Sequence, residues 1–225
     1  MLVPVNSSYM SVEEYFRLEN RSSIRHEYID GLVYAMTGSN NRHRRILNNI
    51  WLPLQLQLKG TGCRADTNEA RVEVRATNSY YYPDIVVSCS EQDPDSIVFE
   101  NPVVIVEILS ALTARIDRRE KLFAYRRIDS VLQYVIVHQR QRRVEVHLRD
   151  PDASWQYSDL RNGILDLNCL AGGQFKLSFD DIYEGIDFRV QVKEECAEYS
   201  CGSRNEFADP DFELECEGED DDLDY

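Results

Sequence analysis

A chain of 225 residues, 43% of them hydrophobic, is long enough for one domain with a real core, or for one domain and an appendage. Its formal net charge of -15 is unevenly spread: residues 191–225 hold 2 basic and 14 acidic side chains, a net of -12, which leaves 23 basic and 26 acidic, a net of -3, on the first 190. That balance excludes a broad positive field of the kind that drives salt-dependent nucleic-acid binding.

Local basic clusters remain at Arg42, Arg44 and Arg45, at Arg115, Arg118, Arg119 and Lys121, and at Arg140, Arg142 and Arg143. Each reads more simply as a solvated helix face or turn. The six cysteines form no CxxC pair and no Cys/His metal spacing, so zinc has little support. No stretch approaches the ~20 apolar residues needed to span a bilayer. The start lacks a basic region followed by an apolar run. A cytoplasmic location with no membrane partner is therefore expected.

Along the chain, Ser11 with Glu14 three residues later reads as a capping box opening a short helix. Glu27 to Met36 reads as a hairpin turning at Asp30-Gly31. From Asn41 to Lys59, Ile46, Leu47, Ile50, Trp51, Leu54 and Leu58 recur at helical spacing; Pro53 should bend or divide that helix, and Gly60 and Gly62 mark its end. Strands are expected over 70–74, 82–88 and 102–109, the last nearly continuous in branched apolar residues and so covered on both faces. A helix over 115–128 and strands over 132–137 and 143–148 come next. Residues 155–167 suggest a small hairpin about Arg161-Asn-Gly163, and Phe179 to Tyr183 a short helical piece. This order favours a mixed central β-sheet flanked by helices, an α/β (mixed α+β) class. The domain spans residues 1–190; residues 191–225, crowded with carboxylates, are read as a disordered tail.

Two carboxylates interrupt the apolar strands. Asp84 follows Pro83 at the start of Ile85-Val86-Val87, and Glu107 lies within Val-Val-Ile-Val-Glu-Ile-Leu-Ser. Burying such groups needs a reason. Asp84 reads either as a strand-entry cap or as a metal ligand. Glu107 reads either as half of a buried ion pair with an arginine or as the second ligand of Mg2+ (or Mn2+). Magnesium takes few carboxylates and keeps several waters. Glu27 reads as a third acidic group or a solvated edge carboxylate. Lys121 shares a helix face with Asp117 and Tyr125, where it would act electrostatically near a phosphate or simply pair with Asp117.

These residues carry a resemblance. SVEEYF, HEYIDGLVYAM, the NRH around His43, YYYPDIVVS, VVIVEILS, DRREKLFAYR, LQYVIV and VEVHLRD, in that order, resemble the Uma-two family of restriction-endonuclease-like proteins over about residues 9–188. The resemblance implies the PD-(D/E)xK nuclease superfamily and a restriction-endonuclease-like core. It matches Asp84 and Glu107 to the metal-binding acids, Glu27 to the acid near the amino end, and Lys121 to a lysine displaced onto the following helix. The superfamily's usual lysine position is Leu109 here, the usual Ser-Pro-Ser-Thr reads Ser110-Ala-Leu-Thr113, and a usual aspartate is His138.

The leading expectation is a metal-dependent endonuclease hydrolysing DNA phosphodiester bonds, with Glu27, Asp84, Glu107 and Lys121 as its site. The resemblance also implies a homodimer, and the tail suggests a basic partner or a shield over a basic surface. The alternatives are a catalytically inactive nucleic-acid-binding or protein-interaction module, and a phosphodiester hydrolase acting on RNA or nucleotides.

Overall fold

Capping chemistry starts the first helix. In this computed structural model, which describes residues 4–5, 8–36, 38–109, 117–167 and 175–189, the backbone of Glu14 donates to Ser11 Oγ and Glu14 Oε2 accepts from the Ser11 backbone, opening α1 (Val12–Glu19). The chain divides into the units Met1–Arg189 and Val190–Tyr225, and the fold below is that of the first; the expected tail lies outside the described residues.

β1 (His26–Ile29) and β2 (Leu32–Ala35) form the expected hairpin. Asp30 and Gly31 both take positive φ, 42° and 93°, as a tight two-residue turn requires. With β4 (Val72–Val74) and β5 (Ser79–Tyr81) they make a four-stranded antiparallel sheet in the order β2-β1-β5-β4.

α2 (Asn41–Leu58) begins where Asn40 Oδ1 accepts the His43 N–H, and Pro53 lies inside it without dividing it. An interior proline costs about 3 kcal/mol. Here the turns on either side of it stay seated through Ile46, Ile50, Leu54 and Leu58, all buried on one face.

The central sheet has six strands in the order β10-β9-β8-β7-β6-β3: β3 (Arg64–Thr67), β6 (Ile85–Ser88), β7 (Pro102–Leu109), β8 (Gln133–His138), β9 (Val144–Arg149) and β10 (Trp155–Leu160). β7 and β8 run parallel and the other neighbours antiparallel, so the sheet is mixed, as expected. Its two faces bury different residues of β7. Val104, Val106 and Ile108 pack with α2, while Ile105 and Leu109 pack with Val72, Tyr81, Tyr125 and Tyr134. On the second face lie the small sheet and α3 (Leu122–Tyr125), which continues a π-helical turn at Asp117–Lys121. The far side of the small sheet is closed by α1 through Tyr15, Tyr28, Val33 and Tyr80.

The expectations differ from the structure at a few elements. β3 and β5 were not anticipated, and the strand expected over 70–74 begins at Val72. The hairpin expected over 155–167 does not form. β10 instead extends the large sheet against β9, and β11 (Ile164–Asp166) pairs with β12 (Lys176–Ser178). Gly163, at φ 92°, redirects the chain between the two sheets. α4 (Phe179–Ile182), capped by Ser178, is the expected end piece. Of the helix expected over 115–128, residues 115–116 lie outside the described ones.

A candidate acidic active site between the two sheets

Strand register alone brings the acidic groups together. Ile85 pairs with Val106 across antiparallel β6 and β7, so one step further puts Asp84 opposite Glu107. Glu107 lies two residues from both Ile105 and Leu109 and so shares their face, the one turned toward the small sheet. On that small sheet Glu27 shares the face of Ile29, which packs into the same cluster from the opposite side. The two glutamates therefore approach across the gap between the sheets.

Lys121 fills that gap. Its Nζ lies 2.8 Å from Glu27 Oε1 and 3.0 Å from Glu107 Oε1, and 5.7 Å from the centre of the Tyr81 ring. All three charged residues are nearly sealed from solvent, at 6% for Glu27, 4% for Glu107 and 5% for Lys121. Such burial is tolerable only because opposite charges meet there. Among the described residues Glu107 pairs with a lysine, where the sequence reading had offered an arginine. Lys121 is buried rather than at the surface, and the side chain of Asp117, the alternative partner, lies outside the described ones. Tyr125, one turn beyond Lys121, donates its hydroxyl to Glu107 Oε1 at 3.1 Å. Burial and then the Glu107 charge hold its phenol well above the usual tyrosine range. Burial, with Glu27 adding to it, pushes Tyr81 up to about 12. Both phenols remain neutral at physiological pH.

Asp84 serves two partners. Its Oδ2 accepts the Ile108 N–H at 2.7 Å, which ties the start of β6 to the residue after Glu107. His43 Nε2 stands 3.1 Å from both carboxylate oxygens. The capping interaction raised as an alternative is therefore real, and it coexists with a position on the cavity wall. Asp84, Glu107, Glu27, Lys121 and His43 all line one cavity of about 390 Å3.

The four residues singled out in the sequence converge. His43 and the hydrogen bond from Tyr125 were not anticipated. The signal for His43 was its helical phase with Ile46 and Ile50, which puts an imidazole on a buried face. Of the basic clusters, Arg142 pairs with Asp180 and Arg143 with Asp159, as turn residues do. The side chains of Arg115 and Arg118 lie outside the described ones. Among the described residues no three His, Cys, Asp or Glu side chains group closely enough to hold a metal ion by themselves. No described helix is long and apolar enough to cross a membrane.

A mixed central sheet flanked by helices, with an acidic pair on neighbouring strand ends, defines a restriction-endonuclease-like fold. Residues 12–178 match the model of the Uma2 family, described as "Putative restriction endonuclease". The chain belongs to the Uma2 family, within the PD-(D/E)xK nuclease superfamily. It is 28% identical over 187 residues to the uncharacterized protein slr1290 of Synechocystis, covering 80% of this chain and 94% of that one. It is 26% identical over 163 residues to sll1609 of the same organism, covering 71% and 92%. A crystal structure from Anabaena variabilis, titled as a "putative nuclease belonging to DUF820", superposes with a TM-score of 0.61 at 18% identity, covering 77% of this chain and 97% of that one. That likeness supports the fold.

Proposed function

We propose that this protein is a metal-dependent endonuclease that hydrolyses DNA phosphodiester bonds. The observation that carries the proposal is the convergence of Asp84, Glu107, Glu27 and Lys121 on one cavity, in a chain of this family. The donor set suits Mg2+ or Mn2+. Two carboxylates on adjacent strands, opening on a cavity roomy enough for water, fit a hard cation that takes few protein ligands. Asp84 and Glu107 would hold it, and when bound it supplies Lewis acidity and an acidified water.

The chain's own residues do the rest. The Ile108 N–H and His43 hold the Asp84 carboxylate in a fixed orientation. Tyr125 and Lys121 hold Glu107. Glu27 keeps the Lys121 ammonium within the cavity, where it offsets negative charge developing on a phosphate. The low exposure of this group strengthens each of those interactions relative to water. Cleavage of DNA by the full chain in Mn2+, lost in Asp84→Asn, is the expected result; cleavage unchanged in the variant would remove the mechanism.

One observation favours a second reading, an inactive nucleic-acid-binding module. Lys121 already pairs with both glutamates, and among the described residues no three-ligand cluster exists. DNA binding with no cation affinity at all would select it. Two further parts of the proposal have their own tests. A homodimer would bring two such sites together, and light scattering giving a monomer would exclude it. The acidic residues 191–225 would shield DNA-binding surface or engage a basic partner, and unchanged affinity and salt dependence after their deletion would exclude shielding.

A further inference from the structure

The cavity above the acidic floor has room for more than a phosphate. Its volume of about 390 Å3 lies at the small end of the range for pockets that enclose an organic ligand. Its lining is charged through Glu27, Asp84, Glu107 and Lys121. It also holds Tyr34 and Ala35 of β2, Met36 just after that strand, and Ile24 just before β1.

Register accounts for this juxtaposition. Tyr34 pairs directly with Glu27 across β1 and β2, and directly paired residues stand on the same face of a sheet. The phenol ring is thereby set beside the carboxylate, and Met36 comes two residues later. Among the described residues the Tyr34 ring packs on no other aromatic ring, whereas Tyr28, Tyr80, Tyr81, Tyr125 and Tyr134 all do. An aromatic and a thioether on the cavity wall, next to a site for phosphate chemistry, suit the face of a nucleobase.

Depth then restricts the form of the substrate. Glu27, Glu107 and Lys121 are at most 6% exposed, so a phosphate that meets them lies down in the cavity, and the base that stacks on Tyr34 enters with it. A base still paired and stacked in a duplex cannot follow. Glu69, which lines this cavity, also lines a second groove of about 270 Å3 where the Arg64 guanidinium lies 5.3 Å from the centre of the Phe99 ring. Building on the nuclease reading and deepening it, we infer that the site takes an unpaired DNA strand, with one nucleobase seated against Tyr34 and Met36 and its phosphate over Asp84 and Glu107.

The test is fluorescence anisotropy of the full chain in Ca2+ with three labelled probes, each checked intact afterwards. They are a single-stranded oligonucleotide, the same sequence as a duplex, and a single strand with abasic spacers. The single strand should bind at least tenfold tighter than either of the others. Tyr34→Ala should weaken it by about 5- to 160-fold, as loss of one stacked base does, while Tyr34→Phe retains affinity. Should Tyr34→Ala not fold, Met36→Ala reports on the same wall. Equal affinity for single strand and duplex, or no loss on removing the bases, overturns the inference. Failure is separable from that of the nuclease reading. Base-dependent single-strand binding without cleavage in Mn2+ keeps this pocket and removes the chemistry; Mn2+-dependent cleavage with duplex preferred does the reverse.

Discussion

Replacing Lys121 by methionine isolates the electrostatics of the site, because the side-chain stem is kept and the ammonium removed. In the native protein that ammonium touches Glu27 at 2.8 Å and Glu107 at 3.0 Å, and all three are at most 6% exposed. Taking away the cation leaves two carboxylates buried against each other, and breaking a buried pair in this way costs about 3–5 kcal/mol. For a folded unit of this size that corresponds to a fall in Tm of about 6–20 °C. Urea unfolding followed by circular dichroism, at fixed pH and in EDTA, measures it. Two companions sharpen the result. Lys121→Met with Glu107→Gln should recover part of the loss, with a coupling of about 0.5–3 kcal/mol. Mn2+ at about 100 times its Kd should restore about 2.7 kcal/mol to the single variant, since a cation then takes over the neutralising role. A single variant within about 1 kcal/mol of wild type, with the double variant simply additive, would refute this view of the site.

Three other predictions concern the scaffold. Burial, with Arg126 beside the ring, lowers His147 from its ordinary 6.5 to about 4, while Glu145 opposes them. The unfolded chain therefore binds more protons as pH falls from 6.5 toward 4, so stability is full above that window and falls through it. Urea unfolding should show a loss of about 2 kcal/mol between pH 7 and pH 5 that His147→Gln lacks; equal pH dependence would contradict it. The disulfide between Cys63 and Cys89 joins β3 to β6 and closes a separation of 26 residues. Reduction should cost about 3 kcal/mol of stability, and alkylation with mass spectrometry should find both thiols only after reductant. Gly31→Ala combines φ of 93° with a close approach of its Cβ to the Tyr9 ring, so it should lose about 1–2 kcal/mol by thermal melting, against almost none for Gly38→Ala.

Much of this architecture was written in local pattern. Ser11 and Glu14 specify a cap through bonds made within three residues, and Asp30-Gly31 specifies a turn through its φ angles alone. The apolar run from Pro102 to Leu109 announced a central strand, and the charged residue within it pointed to the candidate site. What escaped was non-local. β3 is Arg-Ala-Asp-Thr, a poor strand by composition, held in place by its pairing with β6 and the Cys63–Cys89 link. β10 is mostly exposed and is defined by its partner β9, so nothing in its own residues distinguished sheet extension from a hairpin. The same holds in the site. Sequence spacing brought Lys121 and Tyr125 onto one helix face, but the choice of Glu27 and Glu107 as partners depends on two sheets meeting. His43 reaches Asp84 from a different helix 41 residues earlier, a contact that helical phase hints at without naming the partner.

The central claim is a cation site at Asp84 and Glu107, and the most direct test is calorimetric titration of Mn2+ into metal-stripped full-length protein beside Asp84→Asn. Asparagine can still accept the Ile108 N–H, so the fold should persist while a ligand is lost. Weak binding to the acidic residues 191–225 is common to both proteins and cancels in the comparison. Saturable binding near one ion per chain in wild type, weakened about 100-fold or more in the variant, is the expected result. Identical isotherms for the two proteins would contradict a metal at Asp84.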